Sequence, residues 1–240
     1  MRTVLIILVF FILFTAGVPL VAAGFIVACF SKKSGSTFAR FVIQLICRVI
    51  LAAAGVKLRV MGTDKVPRES AVLYTFNHRS YFDAVICCAT APTPYTFISM
   101  ANMKKVPLIN LWMVLMRCLF LDRSSLRDGR RVVYKGAELL KEGLSVFIAP
   151  EGGININSET EPLPFKEGCF MLAKKSGCPV IPVAISNSRS VFEAQFPFIR
   201  NVDVVIEYSD PVYLAQGNRN PGKQVRDIIK GILEKNKETV

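Results

Sequence analysis

AVLYTFNHRSYFD, residues 71–83, decides how this chain folds. Residues 71–76 form an apolar run of the length a strand takes when both faces of its sheet are covered. The next seven residues change character. NHRSYFD carries too many polar groups to continue a buried strand, and residues 82–91 then read as a helix that ends before Pro92 and Pro94. The stretch is therefore a strand-to-helix junction. It holds His78, the chain's one histidine, with Asp83 five positions later. An imidazole exchanges a proton near neutral pH without heavy tuning. A helix starting just after His78 carries Asp83 one turn in, where its carboxylate can turn back to one ring nitrogen. That contact fixes the tautomer and leaves the other nitrogen free to take a proton.

Working outward, strand and helix alternate. Residues 56–61, 95–99, 118–121, 145–149, 179–185 and 202–208 read as further strands. Residues 107–117, 126–141, 167–176 and 221–235 read as helices, the second and last with an apolar stripe and charges mostly off it. A loop of about a dozen residues, rich in Asn, Ser, Glu and Pro, follows PEGG at 150–153. The expected fold is α/β, a mixed sheet flanked by helices, with ligands gathering at the carboxyl ends of strands.

The front of the chain is different. No charged residue stands between Arg2 and Lys32, and this apolar run exceeds the ~20 residues a helix needs to cross a bilayer core. Gly17 and Pro19 fall in its middle, so a bent, re-entrant or steeply tilted helix competes with a straight span. Val21, Ala22 and Ala23 before Gly24 also resemble a signal-peptide cleavage site, although the apolar run continues past it. After the turn SKKSGS, residues 37–54 carry an apolar stripe at helical spacing with Arg40 and Arg48 off it. Such a helix either covers the α/β domain or lies in the membrane interface. The expected organisation is a membrane-anchoring helical pair at 1–54, then an α/β domain at 55–240. Lys32 and Lys33 favour a cytoplasmic loop between the two helices.

Seven cysteines, an odd number without a C-x2-C pair, indicate neither a zinc site nor a disulfide framework. Reduced thiols and a cytoplasmic catalytic domain at the cell membrane follow. The formal charge of +12 is compatible with nucleic acid, an anionic membrane or an acidic substrate. Scattered basic residues, with no zinc finger, basic zipper or aromatic RNP motif, place nucleic acid last.

Four blocks now fall in order: NHRSYFD (77–83), FLDR (120–123), APEGG (149–153) and VIPVAI (180–185). Their order and spacing resemble the glycerolipid acyltransferase family, typified by 1-acylglycerol-3-phosphate acyltransferases, over residues 55–215. The resemblance implies His78 as general base, Asp83 as its orienting partner, a lysolipid hydroxyl as acceptor and an acyl thioester as donor. That donor is carried on coenzyme A or acyl carrier protein, with no bound cofactor or metal. Glu151 is then expected to position the acceptor, and Gly152 and Gly153 to let backbone approach it or simply to form a turn. Arg123 is open to two readings, holding phosphate or pairing with Asp122, while Arg79 either faces the headgroup or water.

The chain also departs from the family pattern. Gly153 and Ile154 stand where threonine and arginine are expected, SMANM (99–103) replaces a K-x-E-L-like run, and no glycine precedes FLDR. A phosphate monoester then needs Lys104, Lys105, Arg79 or Arg123, or else the acceptor's head is not a bare phosphate. Phosphatidate from lysophosphatidate is the simplest product. Another lysolipid, and a non-catalytic basic protein held on anionic lipid, are the alternatives.

Overall fold

The computed structural model describes residues 2–199, 201–214 and 220–237. Seven strands form one mixed sheet: β1 Val56–Met61, β2 Leu73–Phe76, β3 Tyr95–Met100, β4 Leu119–Leu121, β5 Ser145–Ile148, β6 Val180–Ser186 and β7 Val202–Tyr208. Their spatial order is β1-β7-β6-β2-β5-β3-β4. All neighbours are parallel except β6 and β7. The central place of β2 follows from its composition. Every residue in it is buried, and Leu73 faces Val146 on one side and Val180 on the other in register.

Because side chains alternate along a strand, Leu73 and Tyr74 enter different layers. Leu73, Val146 and Val180 pack against Leu139 and Leu140 of α5 (Leu126–Lys141), Leu172 of α6 (Met171–Ser176) and Ile229 of α7 (Pro221–Asn236). Tyr74, Phe76 and Phe147 face the opposite layer. It is built from α1 (Arg2–Phe30), α2 (Lys32–Ala54), α3 (Phe82–Thr90) and α4 (Ile109–Leu115). Helix α2 presents Ala39, Val42, Ile50 and Leu51 to this core and turns Phe41, Leu45 and Val49 outward. Arg48 ties α2 to α3, its Nε donating to the Ala89 carbonyl at 3.1 Å.

Two boundaries differ from the sequence reading for local reasons. Helix α2 starts at Lys32, five residues early, because the Ser31 hydroxyl accepts from the Ser34 N–H and caps it. Helix α1 runs unbroken through Gly17 and Pro19, and residues on both sides of the resembled cleavage site share it. Glycine 35 lets α1 and α2 touch, since a Cβ there would lie 2.5 Å from that of Ala28. Short 3-10 turns at Ala101–Lys105, Glu167–Phe170 and Ser188–Val191 complete the chain.

Candidate active site

The carboxyl ends of β2, β5 and β4 bring three of the polar blocks to one rim of the sheet. After β2 the chain leaves the core through Asn77. This buried amide exchanges two hydrogen bonds with the backbone of Ile185 on β6, at 2.9 and 2.8 Å, so the strand end cannot drift. His78 follows. Its Nδ1 lies 2.8 Å from Oδ2 of Asp83, which is fully buried in the first turn of α3. The same oxygen accepts from the backbone N–H groups of Arg79 at 2.7 Å and Ser80 at 2.9 Å. A carboxylate only accepts, so Nδ1 carries the hydrogen, and in the neutral imidazole Nε2 then keeps a lone pair. The imidazole itself is partly exposed and packs edge-on against Phe76, with ring centroids 5.9 Å apart.

The His78 backbone is held from the other side by the loop after β5. Its N–H donates to Glu151 Oε1 at 2.7 Å, and its carbonyl accepts from the Asn155 N–H at 2.7 Å. Glu151 Oε2 in turn accepts from the Leu163 N–H at 2.7 Å. Burial pushes the Glu151 carboxyl above its ordinary value, and the amides of His78 and Leu163 oppose that shift. Both oxygens of Glu151 are therefore committed to backbone. Glu151 was expected to position the acceptor; the contacts it makes here set the position of the His78 backbone.

Arg79 is buried and faces inward. Its Nε lies 2.9 Å from Glu159 Oε2, and Glu159 Oε1 also accepts from the Asn187 N–H at 2.8 Å. The guanidinium is thus held inside the loop beside its countercharge and not in solvent, with its Nη1 left without a hydrogen-bond partner. Arg123, beyond β4, does not pair with Asp122. Its Nη1 donates to the carbonyl of Gly152, while Asp122 Oδ1 accepts from the Ser124 N–H and hydroxyl. Lys104 and Lys105 sit exposed in the 3-10 turn after β3, and Lys104 Nζ lies over the Phe120 ring, 5.3 Å from its centroid. Gly152 has φ +77°, and a Cβ on it would meet Lys166 Nζ at 2.7 Å, whereas one on Gly153 would meet nothing within 4 Å.

Four contributors were not foreseen: Asn155, Glu159, Lys166 and Glu193. Glu193 accepts from the Ser80 hydroxyl at 2.9 and 2.8 Å and from the Tyr81 N–H at 2.8 Å, steadying the start of α3 from more than 100 residues away. No local pattern marks it. Lys166 had a weak signal, since PFKEG closes the loop that PEGG opens.

A buried carboxylate within hydrogen-bond distance of a histidine, at the strand ends of an α/β sheet, is an arrangement able to move a proton. Comparison with known proteins gives the family of the chain that carries it. The Acyltransferase family model matches residues 57–186, more than half of the chain and all four blocks. The chain belongs to this family, and it is an O-acyltransferase. It is 26% identical over 201 residues to the 1-acyl-sn-glycerol-3-phosphate acyltransferase of Borreliella burgdorferi, covering 83% of this chain and 80% of that protein. The enzyme of the same name from Saccharomyces cerevisiae is 26% identical over 159 residues, 66% of this chain and 52% of its own. The fold matches the crystal structure of the 1-acyl-sn-glycerophosphate acyltransferase PlsC from Thermotoga maritima. There the TM-score is 0.77 and the identity 22%, with 99% and 98% of the two chains covered.

Proposed function

We propose that the protein acylates the free hydroxyl of 1-acylglycerol-3-phosphate to give phosphatidate, with His78 as general base and Asp83 as its orienting partner. The observation that carries this reading is the His78 to Asp83 contact, which leaves Nε2 as an acceptor at the rim of the sheet. The hydroxyl gives its proton to Nε2 as its oxygen bonds to the thioester carbonyl carbon. The carbon–sulfur bond then breaks, and the departing thiolate recovers that proton from the imidazolium. Thiolates leave easily, so one base suffices where an amide would also need an acid. The donor is an acyl thioester of coenzyme A or of acyl carrier protein, and the protein itself holds no cofactor.

A membrane setting at the cell membrane, with the catalytic domain cytoplasmic, is supported by where apolar surface is left outside. Ile26 and Phe30 of α1 are 62% and 88% exposed, and Phe41 of α2 is 68% exposed. A face of this kind is costly in water and fits lipid tails. Lys32 and Lys33 lie where the two helices meet, suited to anionic headgroups, and all seven cysteines are free thiols.

The test is acyl transfer by purified protein in lipid nanodiscs, with acyl-CoA and lysophosphatidate, beside His78→Ala. The variant is expected to lose about 10²- to 10⁴-fold in kcat, the usual worth of a general base. Equal turnover overturns the mechanism. A half-buried Ile154, in place of a cation, favours testing lysolipids with zwitterionic or uncharged heads in the same assay.

A further inference from the structure

We infer that Lys166, together with Arg123 across the Gly152 turn, seats the phosphate of the acceptor, and that Lys166 determines specificity for it. This rests on the acyltransferase reading above and deepens it.

Gly152 follows directly on Glu151, the residue that holds the His78 amide. Two cations from distant segments meet on this one turn. Arg123 donates to the Gly152 carbonyl from beyond β4. Lys166 donates its own N–H to the Pro150 carbonyl at 3.0 Å and lays its ammonium where a side chain at 152 would otherwise stand. Both charges reach Cys169: burial pushes its thiol up to about 11, and Lys166 and then Arg123 oppose that.

Among the described residues, no carboxylate forms an ion pair with Lys166 or Arg123. The nearest acids in sequence are committed elsewhere. Asp122 accepts from Ser124, and Asp128 accepts from the Asp122 N–H and from Arg131. Glu167 accepts from the Gly222 N–H, and Glu151 from two backbone amides. Two like charges placed side by side repel until an anion stands between them. A phosphate monoester carries nearly two negative charges and suits one point-charge ammonium beside one planar guanidinium. The other basic side chains around the site are arranged differently. Arg79 is enclosed with Glu159, and Lys104 lies on Phe120.

The experiment compares wild type, Lys166→Met and Lys166→Arg with lysophosphatidate and with monoacylglycerol, which has the hydroxyl but no phosphate. Lys166 is exposed, so the variants should fold, and Lys166→Gln serves if the Met variant does not. Lys166→Met is expected to raise KM for lysophosphatidate about 10- to 100-fold, the worth of one charged hydrogen bond. Its kcat should stay within about threefold, KM for the acyl thioester should not change, and Lys166→Arg should restore most of the loss. An unchanged KM, or an equal rise for monoacylglycerol, overturns the proposal. A separate titration keeps it distinct from the activity itself: sn-glycerol 3-phosphate is titrated into His78→Ala and into His78→Ala/Lys166→Met. Loss of binding only in the double variant supports the seat even if no lysolipid is turned over. Equal binding by both, or none by His78→Ala, overturns it while leaving the acyltransferase reading to its own assay.

Discussion

The two sides of the site are built on opposite principles. Around His78 the backbone is held at each step: its Nδ1 meets Asp83, its N–H Glu151, its carbonyl Asn155, and the next two amides Asp83 again, which leaves Nε2 open. Around Gly152 the side chains of Arg123 and Lys166 are exposed, and no carboxylate among the described residues pairs with either. The difference matches the two tasks proposed for these sides. A base must stand within hydrogen-bond reach of one proton in one orientation, and a misplacement of about 1 Å can cost 10²-fold in rate. A phosphate on a lipid headgroup is met by long side chains that adjust to it, at the cost of ordering them on binding.

If that division is right, the largest effects belong to the committed side. Asp83→Ala removes the acceptor of three N–H groups at once. We expect kcat to fall about 10²- to 10⁴-fold and stability to fall by about 1–3 kcal/mol, the cost of buried donors left unpaired. His78→Ala should match the activity loss without the stability loss, because its ring is partly exposed. Thermal melting beside steady-state kinetics separates them, and a destabilised His78→Ala would mean that the histidine is structural.

Glu151→Gln comes next. An amide keeps one acceptor oxygen and brings an NH₂ group, so either His78 or Leu163 loses its partner. A kcat lower by about 10- to 100-fold is expected. The pH dependence of stability should change as well. The folded protein holds the Glu151 proton more tightly than the unfolded chain, so folded molecules bind more protons between the ordinary value of 4.5 and the raised one. Stability therefore drops as pH rises through that window, and the Gln variant should lack this slope. Equal slopes would show that Glu151 is not held as described.

Glu193→Ala should act at a distance, leaving the Ser80 hydroxyl and Tyr81 N–H without their acceptor. About 1 kcal/mol of stability and a few-fold in kcat are expected, with KM for both substrates unchanged. A change confined to KM would instead place Glu193 on the substrate path.

What could be read in advance divides along the same line. The strand at 71–76, the helix after it and the His78 to Asp83 contact are all set by spacing within 13 residues, so a local pattern sufficed. The mixed sheet was legible because its buried strands are apolar runs between turn signals. Arg79 was misjudged, because its partner Glu159 lies 80 residues on, in a loop without secondary structure. Glu151 was recognised as part of the site, but nothing local shows that its two oxygens meet the amides of His78 and Leu163. Glu193 reaches the site only through the fold, and Lys166 was marked only by its place where the loop after PEGG closes.

A last pair of variants, ending with the smallest expected effect at Gly153, tests whether the Gly152 turn is shaped for Lys166. Gly152 sits at φ +77°, a conformation that costs an L side chain roughly 1–2 kcal/mol. A methyl there also meets the Lys166 ammonium, which can swing away because only the far end of a flexible chain is touched. Gly152→Ala should therefore cost about that backbone strain and raise KM for lysophosphatidate by displacing Lys166. Gly153 has no positive φ and open space around its would-be Cβ, so Gly153→Ala should change stability by less than about 0.5 kcal/mol. Melting temperatures of the pair read the strain, and KM for lysophosphatidate reads the displaced charge. A Gly152→Ala protein with the wild-type KM would mean that Lys166 does its work from somewhere other than this turn.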